Sequence, residues 1–82
     1  MSHVEVVDAI WNSRNRHGIP LLKRALANQD PMVRMHAINA LLGFRVRDAL
    51  PLVRARLKDP DGSVRSAATT FVGIIGYRGP RV

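Results

Sequence analysis

The 82-residue chain contains no cysteine. That removes disulfides and thiolate metal sites and is compatible with a reducing cytoplasm. Aromatic residues are scarce, being Trp11, Phe44, Phe71 and Tyr77, so Leu, Val, Ile and Ala must build the core. Such a core suits closely packed helices. Acids are scarcer than bases: Glu5 is the sole glutamate, and 6 Asp and Glu stand against 13 Lys and Arg, a formal net charge of +7. No apolar run approaches the roughly 20 residues needed to span a bilayer, and the amino-terminal MSHVEVVDAIW carries acids where a secretory leader would carry bases. A soluble, unprocessed, cytoplasmic protein with no membrane partner is the expectation. A single domain of this length, residues 1–82, can bury only about 60 to 65% of its surface on folding, so its own stability is modest. The positive charge fits nucleic acid, an acidic protein surface or anionic lipid; solubility alone also accounts for a charge of this size.

What is present is helical periodicity with clear punctuation. Val4, Val7, Ile10 and Trp11 share one face of a 3.6-residue period, predicting a helix over about 3–12. Asn12 to Gly18 is a polar turn. Ile19, Leu22, Ala25 and Leu26 repeat the helical spacing over about 19–28, with Pro20 tolerable in the first turn. Asp30 then reads as an N-cap and Pro31 as a first helical residue; Val33, Ala37, Ala40 and Leu41 form the stripe of a helix over about 31–42, which Gly43 is placed to end in the left-handed conformation. A second pair follows over about 49–58, with Asp48 as N-cap and Leu50, Val53 and Leu57 as stripe, and over about 62–75, where Asp61 caps and Val64, Ala68, Phe71, Val72 and Ile75 face inward. Residues 77–82 form a tail.

The two pairs are copies of one another at an offset of 31 residues: Pro20 with Pro51, Leu21 with Leu52, Lys23 with Arg54, Leu26 with Leu57, Asp30 with Asp61, Val33 with Val64, Arg34 with Arg65, Ala37 with Ala68 and Leu41 with Val72. Val6 and Ile10 precede Ala37 and Leu41 by the same interval, so the first helix reads as the second half of a repeat. Antiparallel helix pairs that cannot bury their own apolar faces stack into solenoids. The fold class is therefore all-α, a short right-handed α-solenoid of antiparallel helix pairs, about two and a half repeats and five helices.

Asp30, Val33, Arg34, Ala37, Ala40 and Leu41, and again Asp61, Val64, Arg65, Ala68, Phe71 and Val72, resemble the second-helix signature of HEAT-like repeats, including the type found in phycobilisome lyases. The resemblance covers about residues 19–76 and departs from the pattern at Phe71, where the small residue of Ala40 gives way to a bulky one, as in an end-capping helix. It implies a structural ladder in which Arg34 and Arg65, each one turn after Asp30 and Asp61, bond inter-helix carbonyls or acids. It says little of function, since HEAT-like solenoids include scaffolds, adaptors, chaperone-like lyases, nucleic-acid binders and one metal-dependent hydroxylase.

No catalytic constellation stands out. His3, His17 and His36 have no second ligand at a helical metal spacing, the pair of His3 and Glu5 sits at a terminus, and Ser2, Ser13, Ser63 and Ser66 lack a recognisable base. No enzyme, metal, cofactor or small-molecule substrate is expected. The arginines carry more information. Arg14 and Arg45, and Arg16, Arg47 and Arg78, recur at the repeat interval in turns between pairs, and Arg81 extends them; Asp30, Asp59 and Asp61 lie in the turns within pairs. A basic edge and an acidic edge follow, with Lys23 and Arg54 as a further column. The expected function is a non-catalytic adaptor that binds an acidic protein partner or self-associates, with Trp11, Ile74 and Tyr77 as apolar contacts at the ends. The alternative is a nucleic-acid-binding protein that grips phosphates through the arginine edge.

Overall fold

A computed structural model describes residues 2–77. Five α-helices run in order: α1 (His3–Asn12), α2 (Ile19–Ala25), α3 (Pro31–Gly43), α4 (Leu50–Ala55) and α5 (Gly62–Ile75). No strand occurs among the described residues. Helices α1, α3 and α5 lie side by side in one row, and α2 and α4 pack on α3 and α5 to form a second, shorter row. This is a short HEAT-like solenoid.

Local chemistry explains the starts. Asp30 and Asp61 adopt extended backbone and accept from Met32 N–H at 2.9 Å and from Ser63 and Val64 N–H at 2.9 and 3.1 Å, satisfying donors the helices cannot pair internally. At α1, the Ser2 hydroxyl accepts the Glu5 N–H and donates to the Glu5 carboxylate, a Ser-x-x-Glu cap present in the sequence but not singled out above. Asp48 does not cap α4. Ala49 occupies that position without a side-chain bond, and Asp48 lies in a 3-10 turn (Arg47–Ala49) with its carboxylate 2.8 Å from Lys23.

The ends of the short helices differ from the spans read by periodicity. Helix α2 stops at Ala25, because Leu26, Ala27 and Asn28 donate to carbonyls three residues back, and α4 gives way to a 3-10 turn (Arg56–Lys58). These tightened last turns use carbonyls an α-helix would leave unpaired.

Gly43 does not take the left-handed conformation. That position falls two residues later, on Arg45 with φ 57°, and is matched by Arg14 with φ 55° after α1. Val46 donates to Leu41 and Arg45 to Leu42, as Asn15 donates to Ile10 and Arg14 to Trp11, so both helices close in Schellman motifs with arginine where glycine is usual. Gly43 serves packing instead. The Trp11 ring lies over it and meets Phe44 edge-on, centroids 5.0 Å apart, and a Cβ at Gly43 would fall inside the ring's contact distance. Gly43→Ala is expected to lose about 1–3 kcal/mol through overpacking, read by urea denaturation, despite the better helix propensity of alanine.

The core runs along the interface of the two rows, with Leu22, Val33, Ile38, Leu41, Val53, Val64 and Phe71 fully buried. Tight packing of α3 on its neighbours is possible because Ala37 and Ala40 bring backbones close, and both are buried.

Candidate functional site

Three surfaces hold the residues singled out by sequence. The first is the edge of turns between helix pairs. Arg14 and Arg45 each turn back, donating Nη1 to the carbonyl three residues earlier, Trp11 and Leu42. Arg16 and Arg47 reach across one layer and donate Nη1 to the Phe44 and Ile75 carbonyls, both at 3.3 Å. The Arg14 guanidinium also covers the Trp11 ring at 3.7 Å, and that of Arg16 stands 5.5 Å from the Phe44 ring. These arginines therefore lie at the carboxy-terminal ends of the α1, α3, α5 row, Arg14 at α1, Arg16 and Arg45 at α3 and Arg47 at α5, where helix dipoles favour cations. All four remain exposed, each held through one of its five N–H groups. Arg78 and Arg81 lie outside the described residues.

The second surface is the turn within pairs, and here the expected acidic edge is reduced to Asp30 and Asp61, because Asp59 is buried. Asp59 is 2% exposed. Its carboxylate receives a two-pronged bond from Arg34, Nε and Nη2 each at 2.8 Å, while Arg34 Nη1 donates to the Asn28 and Gln29 carbonyls at 2.7 and 3.0 Å. Asp59 further accepts from Asp61 N–H at 2.9 Å and from Arg56 at 3.4 Å. Asp30 and Asp61 are spent as helix caps and form no ion pair with Arg34 or Arg65 among the described residues. The ladder therefore runs through Arg34 and Arg65 to inter-helix carbonyls, with Asp59 of the adjacent repeat as its one acid, and Asp30 and Asp61 serve it only as caps. Arg65 repeats half of it, donating Nη1 to the Asp59 and Pro60 carbonyls at 2.8 and 3.1 Å. At the other end the same register holds His3 and Asn28, 2.8 Å apart.

The Arg34 hydrogen bonds hold the Asp59 carboxyl below its ordinary value of 3.8, against the upward push of burial, and Asp59 in turn raises Arg34. The folded pKa lies below the unfolded one, so this stabilisation is fully present above about pH 4 and is lost as pH falls through the folded value. A melting-temperature profile is expected to drop steeply below about pH 4, and more shallowly in an Arg34→Met, Asp59→Leu double variant. The signal that could have marked Asp59 was its register with Asn28, a polar residue at the same place in both turns.

The third surface comprises the ends. Trp11 is half-buried between Gly43, Phe44 and Arg14, whereas Ile74 and Tyr77 are 49% and 65% exposed. His36 and Asp8, 2.7 Å apart, join α3 to α1, a pairing without sequence proximity to reveal it. Among the described residues no group of three His, Cys, Asp or Glu could hold a metal ion, and no helix is long and apolar enough to cross a membrane. An open groove of about 280 Å³ lies between α1 and α2, where Val7, Leu21, Ala25 and Val33 meet His3, Arg24 and Asn28.

A family model described as HEAT repeats matches residues 4–70. The match is to HEAT repeats as a class and selects no subtype. None of the curated proteins and none of the solved structures compared matches the chain.

Proposed function

The chain belongs to the HEAT-repeat family, and from that premise we propose that it is a non-catalytic interaction module whose arginine edge binds an acidic protein partner. Arg14, Arg16, Arg45 and Arg47 form the described part of that edge, Arg78 and Arg81 continue it in sequence, and the exposed Ile74 and Tyr77 add apolar contacts at the carboxy-terminal end, whereas Trp11 is covered. HEAT repeats in general mediate protein interactions.

The supporting observation is the pair of left-handed arginines. Holding a side chain other than glycine there costs about 1–2 kcal/mol, and a cation at a helix carboxy terminus recovers only about 0.3–1 kcal/mol. Each also donates a hydrogen bond to its own helix end, and Arg14 covers the Trp11 ring, so the fold offsets much of that cost while leaving both guanidinium groups exposed for a second use. The free sides of the guanidinium groups suit two-pronged bonds to carboxylates. Base stacking, which single-strand binding would draw on, is poorly served, because Arg14 covers Trp11 on this edge. Self-association is also poorly served. Only 6 acids face 13 bases, and Asp59 among them is sealed by Arg34, so two copies at +7 offer each other few carboxylates.

The test uses labelled poly-L-glutamate and generic duplex DNA at about 50 mM salt, where phosphate contacts are strongest, with an Arg14→Gly, Arg45→Gly double variant. The variant is expected to melt no lower than the native chain and to bind poly-glutamate about threefold to tenfold more weakly. Unchanged binding of poly-glutamate by the variant, or tighter binding of DNA than of poly-glutamate by the native chain, would sink the reading.

A further inference from the structure

The ladder has a closed rung and an open one. Arg34 and Arg65 occupy the same repeat position and cap the same turn carbonyls through Nη1, but Arg34 also clasps Asp59 with Nε and Nη2, whereas no carboxylate reaches Nε or Nη2 of Arg65 among the described residues. Burial follows the same division. The line through Arg34 and Ile38 on α3 and Val46 just past its end is covered by the following helix pair, at 8%, 0% and 7% exposure, while its equivalents Arg65 and Thr69 on α5 and Tyr77 just past it are all exposed. One substitution adapts this face to water. Thr69 stands where Ile38 stands, and its hydroxyl donates to the Arg65 carbonyl at 2.9 Å. The face is polar at its centre, cationic at one end and aromatic at the other, so charge rather than apolar area must select what covers it.

We propose that the outer side of α5, along Arg65, Thr69 and Tyr77, is a docking site for a helical hairpin of another protein, whose inter-helix turn brings an aspartate to the Nε and Nη2 edge of Arg65. The proposal rests on the reading of the chain as an interaction module and places on it a site distinct from the arginine edge. Asp59 shows the geometry the partner must reproduce: an aspartate directly after a helix, followed by proline, with one oxygen accepting from the backbone N–H two residues on and both receiving Arg34. A second copy of this chain fits poorly, because its own Asp59, the aspartate in the required register, is sealed, and two chains of charge +7 repel. Acidic character in the partner complements both Arg65 and the net charge.

The test mixes the full chain with a synthetic peptide of residues 46–76, the one segment that presents an aspartate in this register, cross-linked between its two helices and verified as helical by circular dichroism before mixing. The peptide is itself net basic, so general attraction between opposite charges cannot produce the binding. Saturable binding is expected, with NMR shifts at the Arg65 Nε–H, Thr69 and Tyr77. Asp59→Asn in the peptide, or Thr69→Glu in the chain, which fills the Arg65 edge from within at an exposed site, should each weaken it by about tenfold or more. Arg14→Gly with Arg45→Gly, whose side chains bond only their own helix ends, should leave it unchanged. Absence of saturation by about 1 mM, shifts confined to other faces, or equal binding of the Asn peptide overturns the proposal. So does a dimer in sedimentation that Thr69→Glu dissolves, which would assign the face to a second copy. If the peptide fails while poly-glutamate still binds, the α5 site falls and the arginine edge stands; if both fail, both readings fall.

Discussion

Asp59→Ala is expected to lose about 3–5 kcal/mol of folding stability, because it strands the buried Arg34 guanidinium without its counter-charge. Arg34 and Asp59 are 8% and 2% exposed, and their paired bonds of 2.8 Å are the only ones joining two buried charged side chains among the described residues. A domain of this length has about 4–12 kcal/mol in total, so the loss is a large share. Melting temperature should fall by at least about 15 °C. The double variant Arg34→Met, Asp59→Leu should recover most of the loss, since apolar side chains of similar volume need no partner. A single-variant loss below about 1 kcal/mol would show that water reaches the site and replaces the carboxylate.

Phe71→Ala should cost a similar amount, about 3–5 kcal/mol, read from chemical denaturation midpoints. Phe71 is the largest fully buried side chain and lies at the position that Ala40 occupies in the preceding repeat. Both sites are buried, so the repeats are alike in backbone register and unlike in the volume beneath it. Truncation at 71 leaves a cavity that α4 and α5 cannot close without breaking their contact with α3. The reverse change, Ala40→Phe, should also destabilise, by about 1–3 kcal/mol, because no space exists for a ring there. If Phe71→Ala were as mild as an exposed substitution, the carboxy-terminal pair would be packing on α3 without relying on this side chain.

The two variants separate the forces that hold the stack. Phe71 contributes area removed from water, which is insensitive to pH. Asp59 contributes orientation. Its carboxylate ties the turn between α4 and α5 to α3, and its loss under acid should loosen that turn before the apolar interface between the rows.

Helix type and count, the repeat interval and the Asp30 and Asp61 caps were legible because each depends on residues within one or two turns of one another. Periodicity, proline position and capping side chains act locally, and local rules suffice to read them. The same rules misplaced the left-handed residue that closes α3. Gly43 satisfied the general preference for glycine at a helix end, but Trp11, distant in sequence, claims the missing side chain, and the left-handed turn moved to Arg45. The arginine columns were visible as spacing. That each guanidinium closes a helix terminus, two of them in the neighbouring layer, was not, because the Phe44 and Ile75 carbonyls lie 28 residues from Arg16 and Arg47.

By itself the sequence determined a stack of paired helices with a 31-residue period and a surplus of positive charge concentrated at one edge. Only the tertiary structure decided which charges remain available. It buried Asp59 against Arg34 and left Arg65 as the half-used counterpart of Arg34. The physical reason is that periodicity is set by bonds along the chain, whereas an ion pair or a covered ring depends on how closely two separate layers approach.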